Sequence, residues 1–380
     1  MRVLPTGGAF TLLAVATTTI MVGCVIVPGL PAIAAALGVG AAAGWLVTVP
    51  SLGVVLFAPL AAALIDHSGN RRALCLGLFA YGLLGSAGML LHGPWAVFAD
   101  RLLLGGATAV VMAAGTGLIS DFYDGQARLA MIARQGMAIE LGGVLFLFAG
   151  GLLAAAGWRW PFLLYLVGWL LLPMVLRWVP PPAAAALDGR RAESRGRAAP
   201  SLAWIRAAAV LAMVLFFTAV IMLPLRLHGA GFDEAETGYF LSFLSLVAVA
   251  AAAGMPLLVR RLGAAPVLAL AFGCFALGHV CFGIASGLAQ LLAGAVATGI
   301  GFGLSVPLMN SMTVDHSAPA QRARALAYLS MAIFAGQFLA SFMELLASPV
   351  RAFSAAACLG LLAAAAILLW RARFAAPLRA

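Results

Sequence analysis

The chain has 380 residues, of which 64% are hydrophobic and only 9% are charged. Soluble domains carry about 25% charged residues, so this composition excludes a water-soluble fold. The formal net charge is +10, but every basic residue is an arginine, and the arginines stand singly or in pairs between apolar runs. That distribution is typical of membrane topology and excludes a nucleic-acid-binding stripe.

Apolar runs of about 20 residues, the length that spans a bilayer, recur twelve times along the chain. Their predicted bounds are 10–30, 42–65, 73–91, 95–119, 135–156, 161–179, 206–228, 237–259, 266–285, 288–312, 326–346 and 351–370. The first run is longer than the apolar core of a signal peptide, so we interpret it as a span. The five cysteines lie inside such runs without a Cys-x-x-Cys pair, which favours buried apolar residues over a metal or redox site.

One long interruption separates the sixth run from the seventh. It begins with three prolines at 180–182 and then carries four arginines within a stretch poor in large apolar residues. This composition predicts a loosely ordered linker. We therefore predict an all-α membrane protein with twelve transmembrane helices in two pseudo-symmetric six-helix bundles. The predicted parts are an N-terminal bundle over 1–179, a cytoplasmic linker over 180–205 and a C-terminal bundle over 206–380.

The arginines also predict the orientation of the chain. If both termini lie in the cytoplasm, 18 of the 22 arginines fall on the cytoplasmic side, as the positive-inside rule requires. Trp45, Trp95, Trp158 and Trp160 then lie near the opposite ends of spans, where indole rings favour the interface. The sequence therefore predicts a multi-pass protein of the bacterial inner membrane with both termini cytoplasmic.

The two halves also resemble each other in sequence. At an offset of 194 residues, five pairs of identical residues coincide. They are Gly69 with Gly263, Gly105 with Gly299, Asp121 with Asp315, Arg128 with Arg322, and Gly142 with Gly336. Parallel repeats of this kind are typical of transporters that bind their substrate between two halves.

A charged turn, Asp66–Arg72, separates the second and third apolar runs. It resembles the signature Gly-x-x-x-Asp-Arg/Lys-x-Gly-Arg-Arg/Lys of the major facilitator superfamily, through Asp66, Gly69, Arg71 and Arg72. In the fourth span, an Arg-x-x-x-Gly motif begins at Arg101. This motif is similar to a second signature of that family.

The fifth span resembles the drug:proton antiporter branch of the family. It contains glycine pairs at 142–143 and 150–151 and is followed by Trp-Arg-Trp-Pro-Phe at 158–162. Phe148 and Ala149 stand where that branch usually has a Gly-Pro pair.

The family resemblance implies a gate at the charged turn. Asp66 is expected to dock on the start of span eleven, near Leu326, in the outward-facing state, and Arg71 or Arg72 to pair with Asp121 at the end of span four. Such contacts would form a latch that opens and closes. The alternative is a solvated turn that only follows the positive-inside rule.

Two ionisable residues lie inside predicted spans, where a charge is costly and therefore indicates function. Arg101 lies about six residues into span four from the outer face, and Glu140 about six residues into span five from the inner face, roughly 10 Å apart along the membrane normal. Their counterparts in the second half are Ala295 and Phe334. We expect both to face one cavity, with Glu140 as the proton-coupling carboxylate. The alternative for Glu140 is a structural group near the cytoplasmic end of the span.

Other polar residues allow two interpretations. Gln337 in span eleven and Ser242 in span eight could bind substrate or bridge neighbouring helices. Asp100, beside Arg101, is expected on another face of the helix, capping or pairing locally. The glycines at 82, 85 and 88 form a small-residue stripe that favours helix packing.

The sequence shows no nucleotide-binding motif and no metal-ligand spacing, so we predict no cofactor, no metal site and no enzymatic activity. The favoured hypothesis is a secondary active transporter that exports a small amphipathic compound in exchange for protons by alternating access. The predicted partners are that small molecule, protons and the lipid bilayer, with no nucleic acid, and the chain is expected to be a monomer. Alternatives are a major facilitator for a sugar, metabolite or siderophore and, more distantly, a membrane enzyme or a receptor.

Overall fold

The computed structural model describes residues 4–181, 202–318, 321–346 and 348–375, and within these ranges all regular secondary structure is helical. The α-helices are α1 (Thr6–Cys24), α2 (Leu30–Ala36), α3 (Trp45–Ser68), α4 (Asn70–Ala87), α5 (Pro94–Phe122), α6 (Gly125–Ala156), α7 (Val167–Trp178), α8 (Ala203–Gly229), α9 (Glu234–Leu262), α10 (Ala264–Ile284), α11 (Leu288–Asp315), α12 (Arg322–Leu339) and α13 (Pro349–Ala375). Short 3₁₀ helices cover Gly40–Ala42, Trp160–Leu166 and Ala340–Leu346. Most of the predicted linker lies outside the described residues.

Eleven helical segments of the described chain are long and apolar enough to cross a membrane. The 3₁₀ helix Trp160–Leu166 forms one such segment together with α7, and residues Arg324–Leu346 form another. The predicted third span corresponds to α4, which has 18 residues and begins with Asn70 and two arginines. At 1.5 Å per residue it is about 27 Å long, close to the thickness of the hydrocarbon core. The predicted all-α membrane fold is confirmed.

The predicted first span, 10–30, was wrong at its end. Helix α1 stops at Cys24, the chain turns, and it resumes as the seven-residue helix α2 with a proline in its first turn. The cause is Pro28, which has no N–H to donate to the carbonyl four residues earlier. That carbonyl, on Cys24, instead accepts from the amide of Val27 at 3.3 Å.

The chain forms two compact units. The first contains α1 to α7 together with residues 231–242, and the second contains residues 197–230 and 243–380. In the first unit α3 packs along α5, α4 packs on α5 and α7, and α1 packs along α6. Its core contains buried apolar residues of α1, α4, α5 and α7: Leu12, Val15, Leu74, Leu78, Val111, Leu118, Leu171 and Val175. In the second unit α10 packs on α11 and α13, while α8 packs on α12.

The predicted repeat is confirmed by the local geometry of its glycines. Gly69 joins α3 to α4 at φ +78° and ψ 156°, and Gly263 joins α9 to α10 at φ +87° and ψ 163°. Residues with a Cβ rarely adopt such positive φ values. Each glycine amide donates to the carbonyl four residues earlier at 2.8 Å, on Ile65 and Val259 respectively. These carbonyls are themselves 194 residues apart.

A second pair of repeated glycines marks equivalent helix crossings. A Cβ on Gly105 of α5 would meet the carbonyl oxygen of Pro50 in α3, and a Cβ on Gly299 of α11 would meet that of Leu244 in α9. Pro50 and Leu244 are again 194 residues apart. In each unit, two equivalent helices therefore come into backbone contact at equivalent positions of the repeat.

Candidate functional site

The charged turn links the last residue of α3, Ser68, to the first residue of α4, Asn70. Asp66 and Arg72 are exposed, and Gly69 supplies the left-handed conformation between the two helices. Asn70, in contrast, is 3% exposed. The turn therefore carries two solvent-facing charges around a buried amide.

The buried amide of Asn70 contacts the end of α5. Its Nδ2 donates to Oδ2 of Asp121 at 2.6 Å. Gly117, one turn before Asp121, leaves the space for this contact, since a Cβ there would lie 2.5 Å from Oδ1 of Asn70. Asn70 lies at the carboxylate that was predicted to pair with Arg71 or Arg72, and the guanidinium of Arg71 contacts another helix. The pairing of either arginine with Asp121 stays a prediction.

Arg71 binds the C-terminal end of α7. Its Nε donates to the carbonyl of Val179 at 2.7 Å, and its Nη2 donates to that of Leu176 at 2.9 Å. The last carbonyls of a helix lack intrahelical donors and carry partial negative charge, so a guanidinium both satisfies and neutralises them. Arg71 thus ties the start of α4 to the point where the chain leaves the first bundle.

Asn70 is the residue of this region that the sequence reasoning missed. A usable signal was present, since Asn70 directly follows the signature glycine, at a position where the family signature has a basic residue. A polar residue that begins a helix can reach the end of a neighbouring helix, and Asp121 ends the next span.

Arg101 is 1% exposed and lies inside the first unit. Its Nη2 is 3.5 Å from Oδ2 of Asp100, which is 6% exposed. Its Nη1 donates to the hydroxyl of Tyr165 at 3.2 Å, and its guanidinium lies 5.2 Å from the ring centre of Phe162. Asp100 therefore pairs locally, one of the two roles predicted for it, but its partner is Arg101 itself, which was expected on another face of the helix. Together they form a buried pair without net formal charge.

The glycine stripe of α4 receives side chains from the predicted sixth span, as expected for helix packing. A Cβ on Gly82 would overlap the ring of Trp169, one on Gly85 would overlap Tyr165, and one on Gly88 would overlap Phe162 and the Arg101 guanidinium. The order is inverted along the two helices because they run antiparallel. The stripe thus creates the space that Arg101 and its aromatic neighbours occupy.

Glu140 lies on α6 and is half-buried. The described residues provide no hydrogen bond or ion pair to its carboxyl group, and none that joins it to Arg101. No hydrogen bond within the described residues therefore supports the alternative role of Glu140, that of a structural hydrogen-bonded group.

The other two candidate residues, Ser242 and Gln337, lie in different units. Ser242 donates to the carbonyl of Val144 at 3.2 Å and so bridges α9 and α6 within the first unit. Gln337 lies half-buried on α12 in the second unit, beside Gly336, where a Cβ would overlap the backbone of Val210 in α8. Within the described residues, no group of three His, Cys, Asp or Glu side chains could hold a metal ion.

Comparison with known proteins gives one family. A model of the Major Facilitator Superfamily matches residues 9–265 and 255–379. An uncharacterized transporter, YycB of Bacillus subtilis (strain 168), is 28% identical over 296 residues, which cover 76% of this chain and 73% of that protein.

Solved structures of transporters share the fold at low sequence identity. The nucleoside transporter NupG has a TM-score of 0.77 at 12% identity and covers 95% of this chain and 99% of its own. A bacterial homologue of the human lysosomal transporter Spinster has a TM-score of 0.76 at 15% identity, with 96% of each chain covered. A D-xylose–proton symporter has a TM-score of 0.73 at 15% identity and covers 94% of this chain and 96% of its own.

Proposed function

The chain belongs to the major facilitator superfamily, and on this premise we propose that it exports a small amphipathic compound in exchange for protons by alternating access. The family and the helical segments establish a multi-pass membrane transporter. The substrate, the coupling ion and the direction of transport are the proposed part.

Glu140 is the observation that carries the proton coupling. It is a carboxyl group in the middle of an apolar helix, half-buried, and without a hydrogen-bond donor or cation in the described chain. Burying an ionised carboxylate without a partner is costly, whereas a group that alternately binds and releases a proton needs a site without a fixed counter-ion. Coupled export follows if protonation of Glu140 and substrate binding compete with each other.

The charged turn is proposed as the gate of the same transporter, with Asp66, Gly69, Arg71, Arg72 and Asp121 as its residues. The contacts of Arg71 and Asn70 support this role, because they fasten α4 to α5 and α7 and leave the carboxylate of Asp66 exposed. With α4 fastened in this way, the exposed carboxylate of Asp66 is available for a gate contact that forms and breaks during transport.

The remaining proposals concern organisation. We propose that residues 1–179 and 206–380 act as the two halves of the transporter, joined by a linker at 180–205. Both termini are proposed to lie in the cytoplasm, in a bacterial inner membrane, and the unit of transport is proposed to be a monomer. Arg101 was expected to face a cavity, whereas Gln337 could either bind substrate or bridge helices. We propose that Gln337, which is half-buried, faces the substrate.

A second candidate is coupled transport of a sugar or other metabolite. Phe148 and Ala149 occupy the place of the Gly-Pro pair that is usual in the drug-exporting branch, which favours a different specificity. Structures of similar fold include a nucleoside transporter and a D-xylose–proton symporter.

Two measurements test the proposal. Cells with and without the protein are loaded with a fluorescent amphipathic dye, and dye retention is compared before and after the proton gradient is collapsed. In parallel, reconstituted vesicles receive an acid pulse, and proton movement is followed as candidate compounds are added. Gradient-dependent loss of dye is expected. If no dye responds and xylose or nucleosides move protons instead, the metabolite candidate replaces drug export.

A further inference from the structure

The break after α1 leaves a carbonyl group that a continuous helix would satisfy. In a continuous helix the amide of Ile26 would donate to the carbonyl of Val22. Among the backbone hydrogen bonds of the described residues this one is missing, because the regular hydrogen bonding of α1 ends before Ile26. A buried carbonyl without a donor is costly in the apolar interior of a membrane protein.

Tyr165 supplies the missing donor. Its hydroxyl donates to the carbonyl of Val22 at 2.8 Å. One turn earlier, the hydroxyl of Tyr81 donates to the carbonyl of Thr18, also at 2.8 Å. The two tyrosine rings meet edge to face, with centres 5.6 Å apart. The last two turns of α1 are therefore held by side chains of two other helical segments.

Arg101 donates to the oxygen of the same Tyr165 hydroxyl, and the two hydrogen bonds are compatible. A guanidinium can only donate, so when Nη1 donates to the Tyr165 oxygen, the hydroxyl proton of Tyr165 must point elsewhere. The Val22 carbonyl is the acceptor in that direction. A cation at the phenol oxygen also makes that hydroxyl a stronger donor, because hydrogen bonds in a chain polarise one another.

The second half of the chain lacks both the break and this arrangement. At the repeat offset, Ala295 stands in place of Arg101 and Leu359 in place of Tyr165. The corresponding helix, α8, runs on past Thr218, the counterpart of Cys24, and ends only at Gly229. The buried arginine and the broken helix thus occur together in one half and are both missing from the described part of the other.

We propose that Arg101 is a positioning residue which, through Tyr165, holds the broken end of α1 in place beside α6. The backbone of that end lies directly on α6, since a Cβ on Gly150 would overlap the carbonyl of Val25. The same helix carries Glu140, ten residues before Gly150. The consequence for proton coupling rests on the proposed function, whereas the structural role of Arg101 does not.

Cys24 allows the proposal to be tested without knowing the substrate. A variant of the full chain keeps Cys24 and replaces the other four cysteines, Cys75, Cys274, Cys281 and Cys358, by serine. The rate at which N-ethylmaleimide labels Cys24 is measured in the purified protein. Tyr165→Phe removes only the hydroxyl and is expected to raise this rate about fivefold, which corresponds to one lost hydrogen bond.

The arginine is tested in the double variant Asp100→Asn/Arg101→Met, which removes both charges and leaves neither unpaired. We expect a similar increase in Cys24 labelling, and no further increase when Tyr165→Phe is added, because Arg101 acts through that hydroxyl. Independent contributions would instead multiply to about 25-fold and would overturn the proposal. An unchanged rate in Tyr165→Phe would overturn it as well.

A matched control separates positioning from general loosening. Cys75 lies on α4 in the same unit, so a second variant keeps only Cys75 and receives the same substitutions. Its labelling rate should stay constant; equal increases at Cys75 and Cys24 would show a merely structural defect and contradict the proposal. Tyr328→Phe, in the other unit, serves as the tyrosine control. Whether Glu140→Gln loses or keeps proton coupling tests the proposed function alone. Either result leaves the conclusions from Cys24 labelling unaffected.

Discussion

The side-chain amide of Asn70 donates to the carboxylate of Asp121 across 2.6 Å, and this contact ties the first residue of α4 to the last turn of α5. Asn70 is almost completely buried, and Gly117 provides the space that its side chain fills. The contact lies in the turn that we propose as the gate, and it is made by the one residue of Asp66–Arg72 that is buried.

Replacement of Asn70 should destabilise the first unit. Asn70→Ala removes the donor to Asp121, and we expect a loss of stability of about 1–2 kcal/mol, because a hydrogen bond to a charged carboxylate is lost. The midpoint of thermal unfolding in detergent should fall accordingly. Asn310→Ala is the control, since Asn310 is exposed and donates only to its own helix, at the carbonyl of Val306. Equal midpoints for the two variants would contradict the role of the Asn70 contact.

Arg71 and Arg72 are adjacent but should respond differently. Arg71→Ala removes two hydrogen bonds to the C-terminal carbonyls of α7. For this half-buried group we expect the free energy of unfolding to fall by roughly 1 kcal/mol, which lowers the midpoint of thermal unfolding. Arg72→Ala should leave the midpoint unchanged because the Arg72 side chain is exposed. If both arginines acted only as topology signals, the two variants would behave alike.

The repeated glycines predict matched effects in the two halves. Gly105→Ala and Gly299→Ala would each press a methyl group against a backbone carbonyl, so both should lower the unfolding midpoint and the yield of folded protein. Gly254→Ala and Gly273→Ala are helical controls with open space at the Cβ position. These controls should leave the midpoint unchanged or raise it. Since alanine favours helices, the gain in free energy of unfolding is up to about 1 kcal/mol. Tolerance of alanine at both Gly105 and Gly299 would disprove the backbone contacts.

Glu140→Gln should abolish proton coupling while the protein remains in the membrane. Glutamine keeps the size of the side chain but cannot bind and release a proton, so acid-pulse signals in reconstituted vesicles should disappear. Glu234→Gln is the control, because Glu234 begins α9 in its first turn and has no proposed part in coupling. Wild-type proton movement in Glu140→Gln would remove this residue from the mechanism.

Asp66→Asn should slow transport without lowering the amount of folded protein. The side chain is exposed, so its replacement removes no buried contact, and any effect must come from a contact made during the transport cycle. Asp124→Asn, at another exposed acid of the first unit, should leave the rate unchanged. Transport is measured by dye efflux, and protein quantity by immunoblot of the membranes. A wild-type rate in Asp66→Asn would exclude the gate.

Much of the fold could be predicted from the sequence because the bilayer imposes a simple length and composition on each span. The helix ends were less predictable, as the first span shows, since Pro28 only interrupts a run that stays apolar up to Leu30. The repeat offset correctly identified Gly69 with Gly263 and Gly105 with Gly299, because close backbone contacts and left-handed turns admit only glycine.

The side-chain contacts required the tertiary structure. Helices that are apolar on all sides give no sign of which face packs inward, so the sequence placed Arg101 in a cavity and Asp100 on another face. The structure instead buries both as a pair beside Tyr165, a residue 64 positions further along the chain.

By itself, then, the sequence determined that this is a helical membrane protein built from a repeat, since hydrophobicity, arginine placement and glycine spacing are properties of the chain alone. Only the tertiary structure decided that the side-chain amide of Asn70 contacts Asp121, and that Arg101 donates to Tyr165 at the broken end of α1. Such choices depend on distances and directions between helices, and a hydrogen bond changes its partner when a side chain shifts by a single helical position.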